Sequence, residues 1–179
     1  MYRKNFPEVI IIHHTATSRD TTTFQAIESG HKARWSYFVS ELGFCMGYHY
    51  LITGNGKITQ ARVDEEGGAH TIGWNEKSIG ICLTGNFQNE QVSQKQLKSL
   101  TELLARLCKK WSIPRTMVFG HQEKSATLCP GTNLMKFIED YRLGVDKDIQ
   151  KVELMKKIKE LLQVILQLLK TLARQKIKL

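Results

Sequence analysis

The stretch VIIIHHTAT, residues 9–17, decides the fold. Its first four residues are apolar and β-branched, the composition of a strand buried on both faces. Such a strand delivers His13 and His14 at its end. Working outward, residues 48–52 and 78–84 read as further strands, rich in aromatic, Ile and Leu residues and bounded by Gly47, Gly54, Gly80 and Gly85. Residues 117–119 form a short fourth candidate that stops just before His121.

Helical patterns lie between these strands. Leu97, Leu100, Leu104, Leu107 and Trp111 recur at spacings of three and four, and Ser93 with Gln96 forms a capping box, so residues 93–111 are expected to be helical. A second helix is expected within residues 22–37 and a third within residues 134–141. Strands alternating with helices predict an α/β domain, a central mixed β-sheet flanked by helices, over residues 1–143. From Asp146 onward the composition changes to Lys, Leu, Ile and Gln without Gly or Pro. Leu154, Ile158, Leu161, Ile165, Leu168 and Leu172 alternate spacings of four and three, which predicts one long amphipathic helix over residues 146–179. That segment carries nine basic and four acidic residues, so its opposite face is basic.

A chain of 179 residues can bury one ordinary core, which is consistent with one domain and an appendage. Hydrophobic content of 41% with 24% charged residues belongs to a folded soluble protein, and no run reaches the ~18 apolar residues of a membrane span. The apolar run near the start is too short for a signal-peptide core, so the chain is expected to be made in the cytoplasm and to act elsewhere only after release. Cys45, Cys82, Cys108 and Cys129 show no paired spacing and are read as mainly reduced, with one reserved for chemistry. The formal charge of +9 predicts attraction to polyanions. Anionic lipid and an acidic cell wall remain as partners, whereas nucleic acid is set aside because no zinc finger, RNA-recognition signature or basic helix-turn-helix is present.

A strand-end histidine serves most often as a hydrogen-bonded structural residue, so His13 alone decides nothing. A second element, GHQEKSATLCPG over residues 120–131, places His121 eight positions before Cys129 in a loop punctuated by Gly120, Pro130 and Gly131. Imidazole and thiolate are the donors zinc favours, and three protein ligands leave a fourth position open, as in catalytic sites. The spacing is equally compatible with an unrelated core cysteine and a surface histidine.

The ordered blocks VIIIHHTAT, GYHYLI, GAHTIGWNEKSIGICLTGNF and GHQEKSATLCPG tip that balance. Together they resemble the type 2 N-acetylmuramoyl-L-alanine amidases, the family that includes phage T7 lysozyme and the animal peptidoglycan recognition proteins. The resemblance implies Zn2+ held by His13, His121 and Cys129, and peptidoglycan as substrate, cut between N-acetylmuramic acid and L-alanine. It implies a catalytic hydroxyl at Tyr48 and, two positions before the zinc cysteine, oxyanion help from Thr127. It also implies that His70, Thr71, Trp74 and Asn75 form the rim of the substrate groove. His14 and His49 are read as structural. A binding module that does not cut, and an amidase recycling free muropeptides, are the rival readings; the filled cysteine position argues against the first. The basic tail is expected either to contact an anionic membrane or envelope, to pair copies of the chain in a homo-oligomer, or to dock on its own domain.

Overall fold

The computed structural model describes residues 4–144, 155 and 157–167. Five strands, β1 (Val9–His14), β2 (Tyr50–Ile52), β3 (Ile58–Gln60), β4 (Ser78–Leu83) and β5 (Val118–Gly120), form one sheet in the order β3-β2-β4-β1-β5. β2, β4, β1 and β5 run parallel, and β3 is antiparallel to β2, so the sheet is mixed as expected. All six residues of β1 and all six of β4 are buried, which is the burial of central parallel strands covered on both faces.

Three helices cover the sheet: α1 (Phe24–Arg34), α2 (Gln94–Trp111) and α3 (Thr132–Arg142). In α2, Leu100, Leu103, Leu104 and Leu107 are buried, and each contributes roughly 1.5–3 kcal/mol when fully removed from water. Packing therefore holds this helix more than intrinsic propensity does. Ser93 accepts from Gln96 N–H while Gln96 reaches back to Ser93 N–H, the capping box read from the sequence.

The two faces of the sheet differ in residue size. Ile10, Ile12, Ile79, Ile81 and Leu83 meet the leucines of α2 together with Leu134 and Ile138 of α3 in the larger core. On the other face Leu51 and Cys82 join Phe24 of α1, Met46 and Ala61 in a smaller one. His13 pairs in register with Cys82, and Cys82 with Leu51, so alternation along β1 sends His13 to this second face and His14 to the first. Small residues at Gly80 and Cys82 leave room there, at the carboxyl ends of the parallel strands, where open α/β sheets hold their ligands.

Two details depart from expectation. Tyr48 and His49 lie in a bend before β2 rather than within it. The β3 strand was not expected: it is three residues long and only partly buried, so its residues carry no apolar alternation.

The chain divides into two compact units, Met1–Leu143 and Gly144–Leu179. In the second, residues 157–167 are helical, and Ile158, Leu161, Leu162 and Ile165 are exposed. Leu154, Leu168 and Leu172 of the apolar repeat lie outside the described residues. Among the described residues no helix is long and apolar enough to cross a membrane.

Candidate metal centre

The loop that follows β5 brings distant donors together. The Gln122 amide donates to the Cys129 carbonyl at 2.7 Å and closes the loop on itself. Glu123 braces the loop by accepting from Gly120 N–H at 2.7 Å and pairing with Arg142 of α3 at 2.8 Å. The Cys129–Pro130 peptide is cis. His121 and Cys129 are thereby carried over the end of β1, where the Cys129 sulfur accepts from His14 N–H at 3.3 Å.

Donor atoms of His13, His121 and Cys129 all lie within 4.8 Å of one another. Nδ1 of His13 is 3.8 Å from Cys129 Sγ, and the His13 and His121 ring centroids are 4.4 Å apart. A tetrahedron with zinc–nitrogen bonds near 2.0 Å and a zinc–sulfur bond near 2.3 Å separates its donors by about 3.3–3.6 Å. The three side chains therefore match zinc in donor chemistry, and their separations, 3.8 Å for His13 and Cys129 and no more than 4.8 Å for any pair, are somewhat wider than that tetrahedron.

Electrostatics point the same way. Burial, reinforced by the neighbouring His70, His121 and His14, holds His13 well below the ordinary imidazole range. Burial likewise lowers His121 and pushes the Cys129 thiol up to about 11. Each donor is thus uncharged on its own account, His13 being buried and His121 and Cys129 half-buried, and a divalent cation is the partner that makes the thiolate favourable there.

Tyr48 stands beside this cluster, its ring centroid 5.1 Å from that of His13. Burial and the proximity of Cys82 and Cys129 raise its pKa well above the ordinary value, so the hydroxyl keeps its proton and acts as a donor. Thr127 is exposed on the loop, and its hydroxyl accepts from Cys129 N–H at 3.2 Å. The segment expected at the groove rim divides into an inner and an outer part. His70 Nδ1 lies 3.0 Å from His13 Nε2, and Thr71 is buried 3.4 Å from the same nitrogen. Asn75 Oδ1 accepts from the backbone amides of His70 and Thr71. Trp74 is the outward member, with the Lys77 and Lys124 ammonium groups 4.3 and 4.4 Å from its ring centroid.

His14 and His49 have structural partners, Phe87 N–H for the first and Gly80 N–H with the Glu66 carbonyl for the second. All four cysteines are free thiols. His31 of α1 escaped sequence reading: its Nδ1 accepts from Gly47 N–H at 3.0 Å and its ring lies 5.4 Å from that of Tyr48. The one signal for it is its position seven residues after buried Phe24, on the same helical face. Beyond it Trp35, Tyr37, Phe38, Gly68, Ala69 and Asn75 line an open pocket of about 140 Å³.

Known proteins resemble the chain over the part that holds this site. Residues 3–132 match the N-acetylmuramoyl-L-alanine amidase family. Peptidoglycan-recognition protein SC2 of Drosophila melanogaster is 31% identical over 139 residues, 76% of this chain and 75% of that one. Among solved structures, the N-acetylmuramoyl-L-alanine amidase LysC from Clostridium intestinale superposes with a TM-score of 0.65 at 29% identity, covering 82% of this chain and 94% of that chain. The Apis mellifera recognition protein PGRP-SA gives 0.66 at 30% identity, covering 78% and 88%. Sequence match, sheet and helix arrangement all agree over the part of the chain that holds the three donors, and the chain belongs to the N-acetylmuramoyl-L-alanine amidase family.

Proposed function

We propose that this protein hydrolyses the amide bond between N-acetylmuramic acid and L-alanine in peptidoglycan, with zinc held by His13, His121 and Cys129. The observation that carries the reading is the complete donor set, two imidazoles and a thiol within 4.8 Å of one another. A module that only binds peptidoglycan has no use for three converging donors, so their presence favours cutting over recognition alone. Zinc in such a site supplies Lewis acidity toward the scissile carbonyl and lowers the pKa of water toward ~7. The chain's own groups do the rest. The Tyr48 hydroxyl, kept protonated by burial beside the His13 ring, would donate to the oxygen on which negative charge develops. Thr127 adds a neutral hydroxyl at the open side of the loop. Trp74 and the pocket beside Asn75 offer aromatic and amide surface to the sugar and the stem peptide. Relatives named for peptidoglycan recognition and for amidase activity support the same substrate.

The basic amphipathic tail supports action on the cell envelope after release, as a bacteriolytic enzyme, with contact to an anionic surface through residues 146–179. Self-assembly through the same segment is the competing outcome.

Digestion of purified sacculi followed by mass spectrometry tests the reaction, and new stem peptides beginning with L-alanine are the expected product. Chelation should abolish that release and zinc should restore it. Cys129→Ser should lose bound zinc and turnover together while the far-ultraviolet circular dichroism stays that of the parent. Undiminished release by a protein shown to be free of metal would overturn the assignment.

A further inference from the structure

A directed line of hydrogen bonds runs from the buried side of His13 away from the metal donors. At its far end the Ser78 hydroxyl lies 2.6 Å from the Trp74 carbonyl, and a carbonyl only accepts, so the single Ser78 proton is spent there. Ser78 Oγ can then only accept from His70 Nε2, 3.4 Å away. That puts the His70 proton on Nε2 and leaves a lone pair on Nδ1. His13 Nε2 lies 3.0 Å from this Nδ1 and must supply the proton of the bond. The lone pair of neutral His13 is consequently on Nδ1, the nitrogen 3.8 Å from Cys129 Sγ. Thr71 flanks the junction, with its hydroxyl 3.1 Å from His70 Nδ1 and 3.4 Å from His13 Nε2. The one lone pair of His70 Nδ1 is taken by the His13 proton, so the Thr71 hydroxyl serves as a second, longer acceptor for that proton and leaves both tautomers as assigned.

The fold makes a slot for the His70 ring. A Cβ on Gly80 of β4 would stand 2.5 Å from His70 Cδ2, and one on Gly68 would stand equally close. Both positions need glycine for this close approach. Asn75 Oδ1 fixes the backbone of His70 and Thr71, and His49 packs its ring edge-on at 5.8 Å while accepting from Gly80 N–H. Few ring positions other than the observed one are open to His70.

From this line of bonds and this slot we infer that His70 is a positioning residue for the metal centre: through its Nδ1 it fixes the tautomer and orientation of His13. Ser78 and the Trp74 carbonyl set the direction of the line. This role rests on the zinc reading above, and it differs from the substrate contact that the sequence blocks imply for His70. Removing a group that hydrogen-bonds a metal-bound histidine in this way typically changes metal affinity about 10–100-fold.

Two measurements on the full-length chain test it. Nitrogen-15 NMR of histidine-labelled, metal-free protein at neutral pH should show both His13 and His70 protonated on Nε2; a proton on Nδ1 of either ring sinks the inference, and this arm needs neither a variant nor bound zinc. In the second arm, competition with a chromophoric chelator measures zinc affinity. His70→Leu, which deletes the acceptor, should weaken it about 10–100-fold, whereas His70→Asn, which returns an acceptor oxygen near the Nδ1 position, should stay within about threefold of the parent. Equal affinities for parent and His70→Leu, or equal losses for the two variants, would sink it as well. If the leucine variant does not fold, the tautomers of the parent decide. A parent that binds no zinc but has both Nε2 protons would refute the metal centre and leave the tautomer line standing, so the two failures are distinguishable.

Discussion

His49 has both ring nitrogens engaged, Nδ1 accepting from Gly80 N–H at 3.0 Å and Nε2 donating to the Glu66 carbonyl at 2.8 Å. A second proton has nowhere to go without breaking the Gly80 bond. Burial, aided by the Arg62 charge, outweighs the Glu66 carbonyl and Asp64 and lowers its pKa from 6.5 to about 4. The sign follows: with the folded pKa below the unfolded one, the contribution of neutral His49 is complete above pH 6.5 and is lost as pH falls from there toward 4. Over that window one such proton costs about 1.4 kcal/mol per pH unit. His13 and His70, also held low, add in the same direction when no metal is bound. Urea unfolding of the metal-free protein at a series of pH values should therefore show stability falling with acid, and His49→Asn should remove about one proton from the slope. An unchanged slope would place the linkage elsewhere. At this scale the sequence spoke clearly only where chemistry and spacing coincided. His121 and Cys129 share a short glycine- and proline-punctuated loop of metal-ligand residue types, which made their convergence an even choice that the ordered blocks then tipped. His31 and the inward turn of His70 could not be expected, because each depends on which way a ring points after long-range packing.

Among the elements, α2 was the most legible, since its leucine stripe and capping box agree with each other. Its N-terminus does more than the pattern implies. Gln96 is fully buried, and besides closing the capping box its amide donates to the Thr84 carbonyl at 2.8 Å, with the Ile52 carbonyl at 3.5 Å. One side chain thus ties the helix start to the ends of β4 and β2. Gln96→Leu keeps comparable volume but strands the Ser93 amide and the Thr84 carbonyl, and should cost about 2–3 kcal/mol in equilibrium unfolding. Ser93→Ala, which removes the other half of the box and the hydroxyl's bond to the Gly54 carbonyl at 2.9 Å, should cost about 1 kcal/mol. If both variants cost the same, the bridge to the strands is not stabilising. Strand β3 was illegible for the converse reason. It is held by pairing with β2 and by Ile58, which packs against the larger core, and neither pairing nor one apolar residue leaves a periodicity in the chain.

At the scale of the whole molecule, the metal donors come from β1 and from a loop more than a hundred residues later, and no composition or periodicity predicts that meeting. Only the ordered blocks made it readable. The tail poses the opposite case, in which pattern is plain and partner is not. Its apolar residues cannot be exposed to water without cost, and its nine basic against four acidic residues give it a net charge of +5. Two copies of a segment of that charge repel when packed together, whereas an anionic surface gains about 1 kcal/mol for each Lys or Arg brought near it. We therefore propose an anionic membrane or wall polymer as the partner of this segment, an attraction that should weaken as salt rises. A protein ending at residue 145 retains all of the residues in both hydrophobic clusters and all three metal donors, so it should hydrolyse soluble muropeptides at the rate of the full chain. It should also stop sedimenting with phosphatidylglycerol vesicles and lyse intact cells more slowly. Unchanged vesicle binding together with a fall in protomer number would instead make residues 146–179 an assembly element, because only self-association predicts that the mass depends on the tail while the affinity for lipid does not.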